Sequence, residues 1–109
     1  ASHMGKRSSG NSGRLRIKKI SKVRESHIEL KVSEIAKARG WLSFKWVSPS
    51  QRGVPDRMYF KDGELVIIEF KAPDKKPTAY QLAIHRRLKD AGFHVHVVDN
   101  IRQGLEILC

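Results

Sequence analysis

The chain has 109 residues, one domain's worth, and at 39% hydrophobic it can bury a single modest core. No apolar run is long enough to cross a bilayer, and one cysteine, Cys109, excludes an intramolecular disulfide framework. Lys and Arg number 22 against 11 Asp and Glu, a formal net charge of +11 that favours a polyanionic partner.

Residues 1–4, Ala1-Ser2-His3-Met4, read as a cloning remnant, residues 5–21 as a flexible basic N-terminal arm, and 22–109 as one domain. Eight basic residues and no acidic one precede Glu25, so this region carries most of the excess charge. Within it, Arg14-Leu15-Arg16-Ile17-Lys18-Lys19-Ile20 alternates charge with aliphatic residues, as an edge strand or arm would. Arg14, Arg16, Lys18 and Lys19 are suited to phosphates, adding affinity but little sequence choice. A single cysteine and no visible secretory signal point to a reducing, cytoplasmic setting.

A first helix is predicted from Lys22 or His27 to Arg39, with Ile28, Val32, Ile35 and Ala36 on one face and Gly40 as its stop. Trp41–Val47 alternates Leu42, Phe44 and Trp46 with Ser43 and Lys45, which predicts a half-buried strand with the apolar set inward. Ser48–Val54 is a polar loop carrying Arg52, a candidate phosphate contact. Two strands follow, Arg57–Phe60 and Leu65–Lys71, joined by Lys61-Asp62-Gly63-Glu64, whose Asp-Gly pair signals a hairpin. Ala72–Pro77 is a connection in which Lys75 and Lys76 are candidate phosphate contacts or solvated loop residues. Thr78–Ala91 is predicted helical, with Leu82, Ala83 and Leu88 inward and Gly92 ending it. His94–Val98 reads as a strand, and Asn100 as the cap of a short helix at Ile101–Leu108, despite Gly104. Trp41 and Trp46 suit the core or a subunit contact better than base stacking. His94 and His96 share a strand face, more simply a half-exposed surface than a metal pair, and His85 follows Gln81 by one helical turn. The order α-β-β-β-α-β with a short terminal helix is that of an α/β (mixed α+β) fold.

The chemistry concentrates between Gly53 and Lys71. Asp56 opens one strand of the hairpin, and Glu69 and Lys71 share a face near the far end of the other while Phe70 points away. Two carboxylates and an amine beside an apolar strand are costly unless a bound group uses them. A divalent metal such as Mg²⁺ and a phosphate would, with Asp56, Glu69 and the Phe70 carbonyl as metal ligands. Lys71 would then stabilise charge developing on the phosphate, or help position the attacking water. The competing reading of Glu69-Phe70-Lys71 is a surface ion pair across the hairpin. Pro55-Asp56, the intervening turn and the apolar flanks favour the site.

Pro55-Asp56 followed by Glu69-Phe70-Lys71 resembles the PD-(D/E)XK nuclease signature. The longer string Arg52-Gly53-Val54-Pro55-Asp56-Arg57, then Glu69-Phe70-Lys71-Ala72-Pro73, Lys75-Lys76-Pro77, Gln81 and Gly92, is similar to the VRR-NUC branch, the virus-type replication-repair nucleases. The resemblance spans about Glu25 to Asn100. It implies a restriction-endonuclease-like fold and Mg²⁺- or Mn²⁺-dependent cleavage of DNA. Small stand-alone members are similar to phage enzymes that act as homodimers on branched DNA such as Holliday junctions, which would place this chain in the host cytoplasm if phage-encoded.

The resemblance also implies an acidic residue from the first helix, at or through water near the metal. Glu29 is chosen, with Glu25 in reserve one turn earlier. Ser26-His27-Ile28-Glu29 also fits a capping box, as does Thr78-Ala79-Tyr80-Gln81 at the second helix, where the resemblance implies a catalytic Gln81. A non-catalytic DNA-binding module and a nuclease of flaps or single strands stand as alternatives.

Overall fold

The computed structural model describes residues 25–109, and the basic arm with Arg14, Arg16, Lys18 and Lys19 lies outside them. Helix α1 covers 25–38 and ends where Gly40 adopts φ 95°, letting the Trp41 N–H reach back to the Ala36 carbonyl at 2.9 Å. Ser26 already lies inside this helix, so Glu29 is not the partner of an N-terminal capping box.

Four strands form one mixed sheet: β1 Leu42–Lys45, β2 Arg57–Lys61, β3 Glu64–Phe70 and β4 Val95–Val98, in the spatial order β1-β2-β3-β4. The first three are antiparallel neighbours. Asp62 and Gly63 both take positive φ, 50° and 81°, as the tight turn between β2 and β3 requires. Strand β4 runs parallel to β3, so the chain must cross over the sheet, which it does through helix α2, Ala79–Asp90. Helix α3, Ile101–Ile107, follows β4, its first turn capped by Asn100, whose side chain accepts from the Gln103 N–H at 2.8 Å.

The sheet is covered unequally on its two faces. Ile28, Val32 and Ala36 of α1, four apart, meet Tyr59, Ile68, Phe70 and Val98 with Trp41 and Leu108 in one buried cluster. Helix α3 lies close to α1 there: a Cβ on Gly104 would stand 2.7 Å from Val32 Cγ2. That contact explains a glycine inside a short helix. The opposite face carries Ile67 and Glu69, alternate residues of β3, beneath α2. The result is a sheet between two helical layers, with Glu69 on the α2 side.

Two predicted faces are out of phase with the structure. Leu42 and Phe44 are exposed, and Ser43 is the β1 side chain turned towards Tyr59 and Arg57. On α2, Leu82 and Ala83 are exposed, and the inward stripe is Gln81, Ile84, His85 and Leu88. Both errors have one cause: hydrophobic patterning assumes that inward means apolar, and the inward faces here carry polar side chains.

Candidate active site

Asp56 sits at a bend where its backbone is held from both sides. Its N–H donates to the Ile68 carbonyl at 3.1 Å and its carbonyl accepts from the Trp46 N–H at 2.9 Å. Pro55 before it is fully buried and brings no N–H that would need a partner. This bend swings the Asp56 carboxylate across the end of β3, where Oδ2 accepts from the Phe70 N–H at 2.7 Å. In a strand the N–H and C=O of one residue point the same way, so the Phe70 carbonyl also turns to the Asp56 side.

Glu69 is 1% exposed, and its Oε2 accepts from Gln81 Nε2 at 2.8 Å. Its Oε1 is buried without a hydrogen-bond partner. Burial, then the charge of Asp56, pushes the Glu69 carboxyl up to about 8, while the Lys71 ammonium pulls the other way. Burial likewise raises Asp56, against the lowering effect of the Phe70 N–H. Burial and the proximity of the two acids therefore disfavour their both being ionised. Lys71 forms no ion pair within 4 Å among the described residues, which leaves its amine available. Burial first, then Lys71, lowers His85, an imidazole on the same side of the sheet.

Gln81 serves as both cap and site residue. Its Oε1 accepts from the Thr78 N–H at 2.8 Å and its own N–H donates to Thr78 Oγ1 at 3.2 Å, completing the capping box. The amide nitrogen remains free to hold Glu69. The cap and the contact with Glu69 use opposite ends of one amide.

Glu29, the acid chosen from the first helix, is held by cations. Its Oε2 accepts from Arg57 Nε at 2.7 Å and stands 3.4 Å from Lys45 Nζ, while Arg57 also donates to Ser43 Oγ at 3.1 Å. This cluster ties α1 to β1 and β2, so the Glu29 charge is already neutralised by two cations. The charge of Glu29, and after it that of Glu25 one turn earlier, raises Asp56, and Glu25 is also the last of the causes that raise Glu69. Both helix acids therefore act on the carboxylate pair through their charge, and Glu29 is the one already held by cations.

Around the pair, Arg52 is exposed and stacks on the Tyr80 ring, 4.2 Å from its centroid. Gly53 makes this possible: at φ 89°, a Cβ there would lie 2.4 Å from the Tyr80 carbonyl oxygen, so only glycine lets the loop dock on α2. Tyr80 carried no sequence expectation, and the signal available was its position beside Gln81. Lys75 and Lys76 are exposed on the loop after β3. His94 and His96 meet edge to face, 4.5 Å between ring centroids, and no group of three His, Cys, Asp or Glu side chains that could hold a metal forms among the described residues.

The donor set suits a hard divalent ion with few protein ligands: two carboxylates that repel each other when both are charged, one buried oxygen without a partner, and a strand carbonyl. A solved structure described as a VRR_NUC domain superposes with a TM-score of 0.71 at 26% identity, covering 78% of this chain and 94% of its own. A phage protein named "Putative nuclease p44", from Acyrthosiphon pisum secondary endosymbiont phage 1, is 46% identical over 80 residues, 72% of this chain and 85% of that protein. The chain belongs to the VRR-NUC nuclease family. No family model matches it. For this VRR-NUC nuclease the mixed sheet and its flanking helices are the family fold, and no helix among the described residues is long and apolar enough to cross a membrane.

Proposed function

We propose that this nuclease is a Mg²⁺- or Mn²⁺-dependent endodeoxyribonuclease that cuts branched DNA, a four-way junction above all, as a homodimer. The observation that carries the reading is the pair of half-buried Asp56 and buried Glu69 at the end of β3, beside a Lys71 with no ion pair among the described residues. A bound divalent ion supplies Lewis-acid charge at the scissile phosphate. Asp56, Glu69 and the Phe70 carbonyl hold it, with Glu25 acting from α1 in place of Glu29. Gln81 fixes the Glu69 rotamer, and Lys71 offers its ammonium to the oxygen that gains charge when the phosphodiester is attacked. Arg52, Lys75 and Lys76 meet neighbouring phosphates, and the arm at 5–21 adds salt-sensitive affinity without sequence choice.

Support for the dimer comes from the exposed apolar side chains of β1 and the β3 start, Leu42, Phe44 and Leu65. Support for structure over sequence as the feature recognised comes from size, since a domain this small has little surface to read a base sequence. The test is a cleavage panel of four-way junction, flap, linear duplex and single strand, each with Mg²⁺ and with Mn²⁺. The junction should be cut fastest, and Asp56→Ala, Glu69→Ala and Lys71→Ala should each abolish cleavage. Equal cutting of all substrates removes the junction preference; activity surviving in the three variants removes the assigned site. DNA binding without cleavage under either ion would favour a non-catalytic module.

A further inference from the structure

Buried polar atoms without partners are rare, and two of the three on side chains of the described residues face each other. They are Glu69 Oε1 and His85 Nε2, 3.7 Å apart, with the two side chains 1% and 13% exposed. The third, Trp41 Nε1, belongs to a residue of the core on the opposite face. The separation is too long for a hydrogen bond and too short for an intervening water. An ionised carboxylate only accepts, so its natural counterpart is a ring N–H on Nε2.

Helix geometry makes the pairing systematic. Gln81 and His85 are four apart on α2 and so present to the same strip of β3. Gln81 Nε2 already holds Glu69 Oε2 at 2.8 Å, and His85 stands opposite Oε1. Ile84, buried at 7% exposure, anchors this turn of the helix to the sheet and limits how far either side chain can drift.

We infer that His85 is a positioning residue for the metal-binding carboxylate: its Nε2–H closes onto Glu69 Oε1 as the second donor from α2, so that the helix clamps both oxygens and fixes the plane of the carboxylate. The inference rests on the proposed metal site and deepens it. Groups that orient a metal ligand in this way typically change metal affinity by 10- to 100-fold when removed.

The measurement is Mn²⁺ affinity of the full chain by isothermal titration calorimetry, without DNA, alongside kcat and KM for junction cleavage at saturating Mn²⁺. The variants are His85→Leu, which fills the space without a donor, and His85→Gln, whose amide nitrogen reaches the place of Nε2. Thermal melting of each metal-free variant checks folding. We expect His85→Leu to weaken Mn²⁺ binding by about 10-fold or more and lower kcat with KM for DNA little changed. His85→Gln should recover most of both. Wild-type affinity in His85→Leu overturns the inference while leaving the metal site standing. So does a His85→Gln variant as impaired as His85→Leu, which would show that a donor at this position is not what matters. A wild-type protein that takes up no Mn²⁺ overturns the inference and the metal site together.

Discussion

Glu69 is a carboxyl held against its own ionisation. Its ordinary value near 4.5 rises to about 8 through burial and the neighbouring Asp56 charge. A carboxyl raised in the folded state stabilises the fold below its unfolded value and loses that contribution as pH climbs through the folded one. The metal-free protein should therefore lose stability as pH rises from about 4.5 to about 8, and level off above it. Glu69→Gln, which cannot ionise, should flatten this dependence and melt several degrees higher than wild type at alkaline pH. Parallel melting curves across pH for the two proteins would show that Glu69 is not the group responsible. The same proton must leave for a divalent ion to enter, so Mn²⁺ affinity should climb with pH until about 8 and then level. At Gln81 the cap and the clamp can be separated. Thr78→Ala removes only the cap and should cost about 1 kcal/mol of stability with cleavage retained. Gln81→Ala removes both and should lower cleavage by about 10-fold or more at comparable stability loss. Equal activity in the two variants would reduce Gln81 to a cap.

The elements owe their boundaries to a few residues with specific backbone demands. Gly40 ends α1, Asp62-Gly63 turns the hairpin, Asn100 starts α3, and each was legible because the chemistry is local. Gly104 is different. Local propensity marks it as a defect of about 1 kcal/mol in a short helix. The structure makes it the point where α3 approaches Val32 of α1. Gly104→Ala should therefore destabilise the protein by about 1–3 kcal/mol in chemical denaturation, despite alanine's better helix propensity. Pairing it with Val32→Ala should return part of the loss, because the second change makes room for the new methyl. A Gly104→Ala variant more stable than wild type would mean that the α1–α3 contact is slack. The same logic explains the mis-phased α2: a helix that gives Gln81 and His85 to the site does not advertise its inner face by hydrophobicity.

For the whole molecule, the uneven covering of the sheet is the feature with consequences. One face is closed by α1 and α3; on the other, α2 reaches Ile67 and Glu69 and leaves Leu42 and Phe44 of β1 exposed at 56% and 53%. Phe44 and Phe60 meet edge to face at 6.3 Å, so the patch is an ordered surface on the sheet. If this is the subunit contact, Leu42→Glu with Phe44→Glu should convert the dimer to monomer in sedimentation velocity, and junction cleavage should fall to single nicks. A wild-type monomer at micromolar concentration, or a double variant that still sediments as a dimer, would remove β1 from the interface.

Turn residues, caps and the Pro55-Asp56, Glu69-Phe70-Lys71 pattern were readable from the amino-acid order because each depends on neighbours in the chain. The strand pairing that sets Asp56 beside Phe70 follows from that same hairpin. Three matters depended on distant contacts. The ion pairs of Glu29 are made with Arg57 and Lys45, which lie on two strands that the linear sequence does not bring to α1. The two faces of Gln81 became compatible only when α2 was laid over β3. And the exposure of Leu42 and Phe44 followed from where α2 stops covering the sheet, since burial is a property of the packed layers and not of the strand's own alternation.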